Sequence, residues 1–289
     1  MIIGYQGSKG SYSYEASNQI LKNLSPPTTF SINGFTLSEN VIDALKKGEI
    51  NFAVLPVENS IIGNIDINTE LIQKNDIQAV QEFYLKIEHV LYSKNPTNIS
   101  GIEKVYSHPA ALAQCHDYIK LHNLTPMVEF DTGGACQKMI KSKYPEKSAI
   151  IAGPQCRHIW NIHEVSNCIQ NTNDNYTRFL LLKNGTLKVK DYNKGNKFSL
   201  SFSTNNKPGS LLEVLGYFQN FKINLTKIES MPIPETPFSY TFFIDGELDG
   251  PKSCQIKNQL EGLIKALRTN NIVFKLIGVY PKHQRNQWS

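Results

Sequence analysis

The chain has 289 residues, of which 40% are hydrophobic and 19% charged, and it exceeds the length at which a single hydrophobic core usually stops growing. We therefore expect at least two domains. The hydrophobic segments are short and interrupted, which argues against a membrane-spanning helix of about 20 apolar residues, and the net charge of +5 includes no block of Lys or Arg that would indicate nucleic-acid binding.

The cysteines and the opening segment limit the chemistry and the location that we expect. The five cysteines are scattered and form no C-x-x-C pair, so we predict reduced thiols, with neither a zinc site nor a redox disulfide. The chain opens on a short apolar strand and a glycine turn, without the basic and apolar regions of a signal peptide. We therefore expect a cytoplasmic protein.

Short apolar strands alternate with helical stretches over the first 152 residues. This alternation is typical of an α/β domain with largely parallel strands, which binds ligands at the carboxyl ends of its strands. The predicted elements are, in chain order, a strand at 2–5, helices at 14–24 and 38–47, a strand at 52–57, a strand near 105, a helix at 109–121, a strand near 128, a helix from 132 and a strand at 149–152.

The first polar motif is a turn at 7–13, bracketed by Gly7 and Gly10, between the first strand and the first helix. A glycine loop at a helix N-terminus can bind an anion through its backbone N–H groups. The segment lacks the spacing and the terminal Lys of a nucleotide-binding Walker loop. Taken alone, a plain tight turn is the better explanation.

Polar side chains also follow three of the predicted strands. Glu58, Asn59 and Ser60 come after the strand at 52–57, where we expect a helix to begin. His108 and Thr132 stand at the next two strand-to-helix junctions. Helix capping explains one residue of the first group but not all three, so a ligand-binding role stays open there. These strand ends could converge on one cleft.

A metal or thiol site at His108 has little support. Cys115 and His116 lie further along the same predicted helix, but no pair has the i, i+4 spacing with a further ligand that a metal site needs. A nucleophilic Cys–His pair is also disfavoured, because side chains adjacent in sequence point in different directions on a helix.

The third candidate segment is Thr177-Arg178-Phe179, which runs into the apolar strand at 180–182. Strand alternation predicts that Thr177 and Phe179 face one way and Arg178 the other. From this pattern alone, an ordinary strand with an ion-paired arginine is the simpler interpretation.

The pattern changes after a polar segment at 187–196, which we interpret as a linker. The predicted order beyond it is strand, helix, strand, strand, helix, strand, and this βαββαβ order is the ferredoxin-like arrangement. Pro208 is expected in the first turn of the first of these helices, where proline is tolerated. The predicted elements lie at 198–203, 208–221, 223–230, 240–245, 251–268 and 272–279.

Taken together and in this order, the motifs resemble those of the prephenate dehydratase family. The segments that carry the resemblance are GSKGSYSYEA, LPVENSIIGNI, SHPAALAQC, DTGGACQKMI and the unchanged Thr-Arg-Phe, and the resemblance as a whole spans essentially residues 1–280. Beyond them, NLTKI at 224–228 closely resembles the same family's C-terminal region.

The resemblance implies an α/β catalytic domain with two subdomains, like type II periplasmic binding proteins, followed by a ferredoxin-like ACT regulatory domain. We expect the catalytic domain at 1–186, with subdomains at about 1–80 with 170–186 and at 81–169. The linker would then be 187–196 and the ACT domain 197–281.

The family's reaction removes carbon dioxide and the ring hydroxyl from prephenate to give phenylpyruvate, and it needs no cofactor because aromatisation drives it. The resemblance implies that Thr177 is the catalytic residue, whose hydroxyl donates toward the leaving ring oxygen. Arg178 could bind a carboxylate or brace the fold, and His108 could be a second donor. The expected substrate-binding residues are Asn59, Ser60, Ser11, His108, Thr132, Arg178 and Phe179.

The resemblance also implies L-phenylalanine as an effector, bound where ACT domains of a dimer or tetramer meet. Two departures from the family pattern concern Ser210, which replaces alanine, and Met231, which replaces arginine. The three prolines within 232–237 also differ from a compact turn. The expected effector-binding residues are Pro208, Gly209, Ser210, Leu211, Asn224, Leu225, Glu229 and Ser230.

Two other functions stay open at this point. An arogenate dehydratase acts on a substrate with an amine where prephenate has a ketone, and a carboxylate such as Glu58 could favour that amine. A binding-only amino-acid sensor could share the two-lobed cleft, although the intact Thr-Arg-Phe counts against it. We expect no metal, no nucleic acid and no membrane among the partners.

Overall fold

The computed structural model describes residues 1–23, 30–192, 194–233, 236–249 and 253–283. Its strands are β1 Ile2–Gln6, β2 Ser31–Phe35, β3 Phe52–Asn59, β4 Gly63–Asn64, β5 Ile77–Lys86, β6 Val90–Ser93, β7 Lys104–Ser107, β8 Thr125–Val128, β9 Ser148–Ala152, β10 His163–Ser166, β11 Tyr176–Asn184, β12 Lys197–Ser203, β13 Asn224–Pro232, β14 Tyr240–Glu247 and β15 Val273–Tyr280.

The helices alternate with these strands through most of the chain. They are α1 Tyr12–Asn23, α2 Ser38–Lys47, α3 Asp66–Lys74, α4 Pro109–Gln114, α5 His116–Leu121, α6 Thr132–Ile140, α7 Cys156–Ile159, α8 Ser210–Asn220 and α9 Ser253–Thr269, with short 3-10 helices at Ile99–Gly101 and Val189–Asp191. No helix of the described residues is long and apolar enough to cross a membrane.

The chain divides into two compact units. The first comprises Met1–Ile65 and Phe83–Phe179, and the second comprises Asp66–Glu82 and the described residues from Leu180 onward. Neither unit is one continuous stretch of sequence, because the segment Asp66–Glu82 of the second unit lies between the two segments of the first.

The first unit has two lobes, each built on its own sheet. In one lobe, β1 pairs in parallel with both β2 and β3, and the start of β11 lies on the other side of β3. The other lobe has a five-stranded sheet in the order β10-β6-β9-β7-β8, whose last three strands are parallel. The chain passes between the lobes twice, where Ile87 N donates to Asn175 O (2.8 Å) and Ile169 N donates to His89 O (3.2 Å).

Strand alternation builds the core of the second lobe. Leu91 and Ile151 belong to the apolar cluster on one face of its sheet, whereas Tyr92 and Ile150 belong to the cluster on the other face. Both clusters are closed by helices, so these strands are buried on both faces and read as continuous apolar runs. The loops at the carboxyl ends of its parallel strands are therefore attached to a sheet that is packed on both faces.

The second unit contains the predicted βαββαβ topology. Strands β12 to β15 pair antiparallel in the order β13-β14-β12-β15, and α8 and α9 pack on the sheet around Phe198, Phe218 and Leu263. β15 also pairs in parallel with β5 at Gly278 and Ala79. The ferredoxin-like order is the one that the sequence predicts.

Three local predictions are wrong. No helix begins at residues 58–60, because β3 extends to Asn59 and a hairpin through Gly63, whose φ is +89°, separates it from α3. The helix predicted at 109–121 is interrupted at Cys115. Pro208 lies outside the helix, since Gly209 is the N-cap of α8 with a φ of +85°.

Some predicted features fall on residues that are not described. These are the end of the first predicted helix at 24, part of the linker at 193, the start of the last predicted helix at 251, and residues 234 and 235 of the proline-containing segment.

Candidate active site

The side chain of Asn59, at the end of β3, is the centre of a buried polar cluster in the first unit. Its Oδ1 accepts from the backbone N–H groups of Ile61 and Ile62, each at 3.0 Å. These two donors fix the amide orientation, because Nδ2 must then point the other way. Nδ2 donates to Asn175 Oδ1 (2.7 Å) and to Thr177 Oγ1 (2.9 Å).

This geometry gives the Thr177 hydroxyl a defined role. Its oxygen accepts from Asn59, so its own proton is left for another acceptor. The side chain is 8% exposed, which places the hydroxyl in an environment where a hydrogen bond is stronger than in water. Asn59 and Asn175, 6% and 0% exposed, keep it in position. The Thr177 hydroxyl is therefore an oriented hydrogen-bond donor that is largely shielded from solvent.

Ser60 forms hydrogen bonds between the end of β3 and the start of β11. Its backbone N–H donates to Tyr176 O, and Tyr176 N donates back to Ser60 Oγ, both at 2.9 Å. Ser60 Oγ also donates to Asp174 O (3.3 Å). Ser60 therefore connects the end of β3 to the start of β11, and the hydroxyl is engaged with the backbone.

Arg178 is buried beside a carboxylate. Its Nη1 lies 3.6 Å from Glu58 Oε2, and its side chain is 3% exposed whereas that of Glu58 is 39% exposed. Thr177, Arg178 and Phe179 are all buried, so β11 has no solvent-facing side at these positions. The predicted alternation therefore does not separate an exposed from a buried face, and Phe179, 1% exposed, lies in the interior.

The glycine turn of the first lobe packs against the start of α6 in the second lobe. Asp131, the N-cap of α6, accepts from Ser8 N (3.1 Å), Ser8 Oγ (3.0 Å) and Gly134 N (2.5 Å). A side chain at Gly133 would collide with Lys9 O, at 2.7 Å from its Cβ. Glycine is required here because the two loops approach so closely.

Ser11 and Thr132 lie in this contact region and are 6% and 5% exposed. Ser11 Oγ accepts from Tyr14 N (3.2 Å), which is a helix cap for α1. The contact is reinforced where Gln155 Nε2 donates to Gly10 O at 2.9 Å. The turn at 7–13 is thus held by the second lobe through Ser8 and Gly10.

His108 is the N-cap of α4 and borders a cavity of about 630 Å³. Its Nδ1 accepts from Ala110 N (3.2 Å), so the neutral ring carries its proton on Nε2. Burial lowers the pKa of His108, and the nearby Asp131 carboxylate partly opposes that shift. The cavity is lined by Ile61, Ile62, His108, Pro109, Ala110, Ala113, Gln114, Gln170, Asn171 and Thr172.

The structure therefore brings Asn59, Ser60 and Thr177 into one cluster and places His108 on the cavity wall that Ile61 and Ile62 complete. Ser11 and Thr132 belong to the contact between the lobes. Sequence reasoning missed Asn175 as a site residue, although it stands two positions before Thr177. Its role depends on a contact with a residue 116 positions away, which no local pattern reveals.

Metal ligation and thiol chemistry receive no support from the geometry. The described residues contain no group of three or more His, Cys, Asp or Glu side chains that could hold a metal ion. Cys115 is buried, and burial raises the pKa of its thiol to about 12, which disfavours the nucleophilic thiolate.

The residues expected to bind an effector lie in the second unit on α8 and β13. Gly209 caps α8, which begins at Ser210, and Leu211 packs against the apolar core. Asn224, Leu225, Glu229 and Ser230 are on β13, the edge strand of the sheet, and Glu229 Oε2 lies 3.4 Å from Lys227 Nζ. Met231 is 8% exposed, so the position that departs from the family pattern is buried.

A family model described as prephenate dehydratase matches residues 3–186. The chain is 32% identical to the prephenate dehydratase of Methanocaldococcus jannaschii, covering 96% of this chain and 97% of that protein. It is 30% identical to arogenate dehydratase/prephenate dehydratase 2 of Arabidopsis thaliana, covering 96% of this chain and 72% of that protein.

The fold also has solved counterparts. A prephenate dehydratase from Arthrobacter aurescens, in complex with L-Phe, superimposes with a TM-score of 0.81 at 21% identity, covering 98% of this chain and 90% of that one. The likeness confirms the predicted α/β fold.

Proposed function

Because the chain belongs to the prephenate dehydratase family, we propose that it is a hydro-lyase that converts prephenate to phenylpyruvate, carbon dioxide and water. The observation that carries the proposal is the Thr177 hydroxyl, which accepts from Asn59 Nδ2 at 2.9 Å and keeps its proton for a substrate oxygen. The reaction needs such a donor where the ring hydroxyl departs.

The proposed mechanism balances without an external electron acceptor. The C–COO⁻ bond of the ring carboxylate breaks, its electron pair enters the ring, and the C–OH bond breaks as aromaticity forms. The departing oxygen takes up one proton, which the solvent supplies because Thr177 donates only a hydrogen bond, and leaves as water. Thr177 stabilises the charge that develops on this oxygen, and Asn59 polarises the hydroxyl and holds its direction.

The cavity beside this cluster has a suitable size and lining for the substrate. Its volume of about 630 Å³ falls in the range of small-molecule sites. Ile61, Ile62 and Pro109 provide apolar walls, which exclude water from the ring carboxylate and favour its loss as carbon dioxide. His108 offers the Nε2–H group as a second donor for a carboxylate.

Ser11, Thr132, Arg178 and Phe179 would then act mainly by shaping the site. Arg178 is paired with Glu58 and buried, which supports a bracing role more than direct contact with a carboxylate. Ser11 caps α1, Thr132 begins α6 beside the contact between the lobes, and Phe179 fills the interior.

The second unit would regulate this activity. We assign residues 197–281 as an ACT domain because of their βαββαβ topology, with 1–186 as the catalytic domain and 187–196 as the linker. L-Phenylalanine is the proposed effector, at the start of α8 around Gly209–Leu211 and along β13, in a dimer or tetramer. A biosynthetic role of this kind fits a cytoplasmic location.

Arogenate is the second candidate substrate, since one relative is named for both activities. Glu58 was the carboxylate that could bind the amine of arogenate. Its oxygen lies 3.6 Å from Arg178, so this carboxylate already has a cationic partner. That pairing favours prephenate.

The test is to incubate the purified chain with prephenate and with arogenate in parallel, with and without L-phenylalanine. We expect phenylpyruvate from prephenate, much less phenylalanine from arogenate, and inhibition by L-phenylalanine. Preferred turnover of arogenate would move the assignment to an arogenate dehydratase. Binding without turnover of either substrate would instead support an amino-acid sensor.

A further inference from the structure

The second unit contains a cavity that is separate from the residues expected to bind the effector. Its volume of about 450 Å³ falls in the range of small-molecule sites. It lies where α9 ends, where β15 begins and where the chain leaves β11, whereas the expected effector residues lie at the start of α8 and on β13. The described residues that line the cavity include none of those effector residues.

Three charged side chains line this cavity, and Lys275 is the one that the protein already engages. Its ammonium donates to three backbone carbonyls at the C-terminal end of α3, those of Ile72 (3.0 Å), Gln73 (2.8 Å) and Asn75. A cation is favourable at this end of a helix. An ammonium has three N–H donors, so these contacts leave none of them for a ligand.

Arg268 is the second cation, and its guanidinium remains available. It lies over the ring of Phe274, with Cζ 6.0 Å from the ring centroid, which is a favourable position for a cation. Within the described part of the chain, its side chain forms no hydrogen bond or ion pair. A guanidinium presents its N–H groups in a fork that matches the two oxygens of a carboxylate. Arg268 is therefore suited to bind a carboxylate in the cavity.

Asp76 provides the opposite charge. Its backbone carbonyl accepts from Gly185 N at 2.8 Å, which connects the segment after α3 to the segment after β11. Burial lowers the pKa of Lys275, and the Asp76 carboxylate partly opposes that shift. This carboxylate forms no hydrogen bond or ion pair with any residue that the structure describes. A positive group of a ligand would thus find an anionic partner here.

The remaining wall of the cavity is largely apolar. Leu187, Phe274 and Leu276 line it and also pack against the core of the second unit while staying partly exposed. An apolar group of a ligand would be removed from water on this wall, which is favourable. A complementary ligand combines a carboxylate, an ammonium and an apolar group.

We propose that this cavity binds an α-amino acid with a large apolar side chain. The carboxylate of the amino acid pairs with Arg268, and its ammonium pairs with Asp76. Its side chain packs on Leu187 and Leu276. Because the site lies wholly in the second unit, binding can be measured whether or not the first unit turns over prephenate.

The first test titrates the full chain calorimetrically with L-tryptophan and with L-leucine. We expect saturable binding that Arg268→Gln and Asp76→Asn each weaken about 10- to 100-fold, the loss expected for a hydrogen bond to a charged group. Both side chains are exposed, so the variants should melt at the wild-type temperature. Lys265→Gln on α9 and Asp43→Asn on α2 are the matched controls, since they remove the same charges at exposed positions outside the cavity.

Two results of this titration would overturn the proposal. One is the failure of both amino acids to bind at millimolar concentration. The other is binding that neither Arg268→Gln nor Asp76→Asn weakens, which would place the amino acid at another site.

The second test assigns each charge of the ligand to its partner. Tryptamine and isoamylamine lack the carboxylate of L-tryptophan and L-leucine, whereas indolepropionate and isocaproate lack the ammonium. All four should bind the wild type more weakly than the parent amino acids. We expect Arg268→Gln to weaken only the ligands that have a carboxylate, and Asp76→Asn only those that have an ammonium. Equal losses for all ligands in both variants would contradict the pairing.

Discussion

Two buried polar clusters, one in each unit, each hold a small hydroxyl side chain, but they differ in its hydrogen bonding. In the first unit, Asn59 and Asn175 surround the hydroxyl of Thr177. In the second unit, Ser199 Oγ donates to Asp245 Oδ1 and lies 2.6 Å from Tyr280 OH. Each cluster joins residues that are far apart in sequence.

The difference lies in what each hydroxyl does with its proton. Ser199 gives its proton to Asp245 and can accept from Tyr280, so its bonding is complete within the protein. Thr177 accepts from Asn59 and keeps its proton. A satisfied buried hydroxyl stabilises a fold, whereas one with a proton to spare near a cavity is available to a ligand.

The largest expected effect is that of Asn59→Ala. Removing this amide releases the Thr177 hydroxyl and leaves the N–H groups of Ile61 and Ile62 without their acceptor. We expect kcat to fall about 10²- to 10⁴-fold, the range for a lost catalytic donor, and the free energy of unfolding to fall by about 1–3 kcal/mol. Steady-state kinetics and urea denaturation measure the two effects. If Asn59→Ala keeps kcat within about threefold of wild type, the Thr177 cluster is not catalytic, and it then differs from the Ser199 cluster in no functional respect.

Lys197→Met should affect stability only. Lys197 Nζ lies 2.8 Å from Glu82 Oε2, and the two side chains are 5% and 1% exposed, so the substitution leaves a buried carboxylate without its cation. We expect a loss of about 3–5 kcal/mol in the free energy of unfolding.

The matched control for that change is Lys282→Met, which removes a partner of Glu247 at the same 2.8 Å but at 45% exposure. Its expected cost is below about 1 kcal/mol. Equal losses in the two variants, measured by urea denaturation, would show that burial does not set the strength of the Lys197 pair.

Ser199→Ala should lower the free energy of unfolding by less than Lys197→Met does. It also tests directly whether the Ser199 cluster serves stability and not catalysis. It removes a donor to the buried Asp245 carboxylate, so we expect the free energy of unfolding to fall by about 1–3 kcal/mol. The kcat for prephenate should stay within about twofold of wild type. A large loss of kcat in a folded Ser199→Ala protein would mean that the two clusters do not have separate roles.

The smallest expected effect is a dependence of stability on pH. Burial lowers the pKa of His89, so the unfolded chain binds a proton more readily than the folded one. Stability is therefore complete above the ordinary histidine pKa of about 6.5 and is lost as the pH falls through and below that value. Melting curves between pH 8 and pH 5 should show the decline, and His89→Gln should reduce it. A decline that is the same in His89→Gln would assign it to other groups, such as His108 or His283, whose pKa values burial also lowers.

The sequence predicts the second unit well because its pattern is local. Alternation along β12 and the apolar face of α8 indicate their elements without reference to distant residues, and the βαββαβ order follows from the sequence of such local patterns. The prediction fails at Pro208, because Gly209 in the left-handed conformation is the N-cap and the helix begins only at Ser210, two residues beyond the proline.

The candidate site is predicted less completely, because its contacts are not local. The prediction of a helix at 58–60 misses the hairpin that places Ile61 and Ile62 on Asn59. Family resemblance, not pattern, identifies Thr177, since 118 residues separate it from Asn59. Gln114 has no distinctive spacing, and only the folded chain brings it to the cavity wall, with its Oε1 2.7 Å from Nε2 of the buried His89.

The most direct test of the central claim compares Thr177→Val with Thr177→Ser in single-turnover reactions with prephenate. Valine matches the shape of threonine without the hydroxyl, and serine keeps the hydroxyl without the methyl group. We predict that the serine variant forms phenylpyruvate within about tenfold of the wild-type rate. The valine variant should lose about 10²-fold or more while binding phenylpyruvate as tightly as wild type. Equal rates for the two variants would contradict the assignment of Thr177 as the donor to the leaving oxygen.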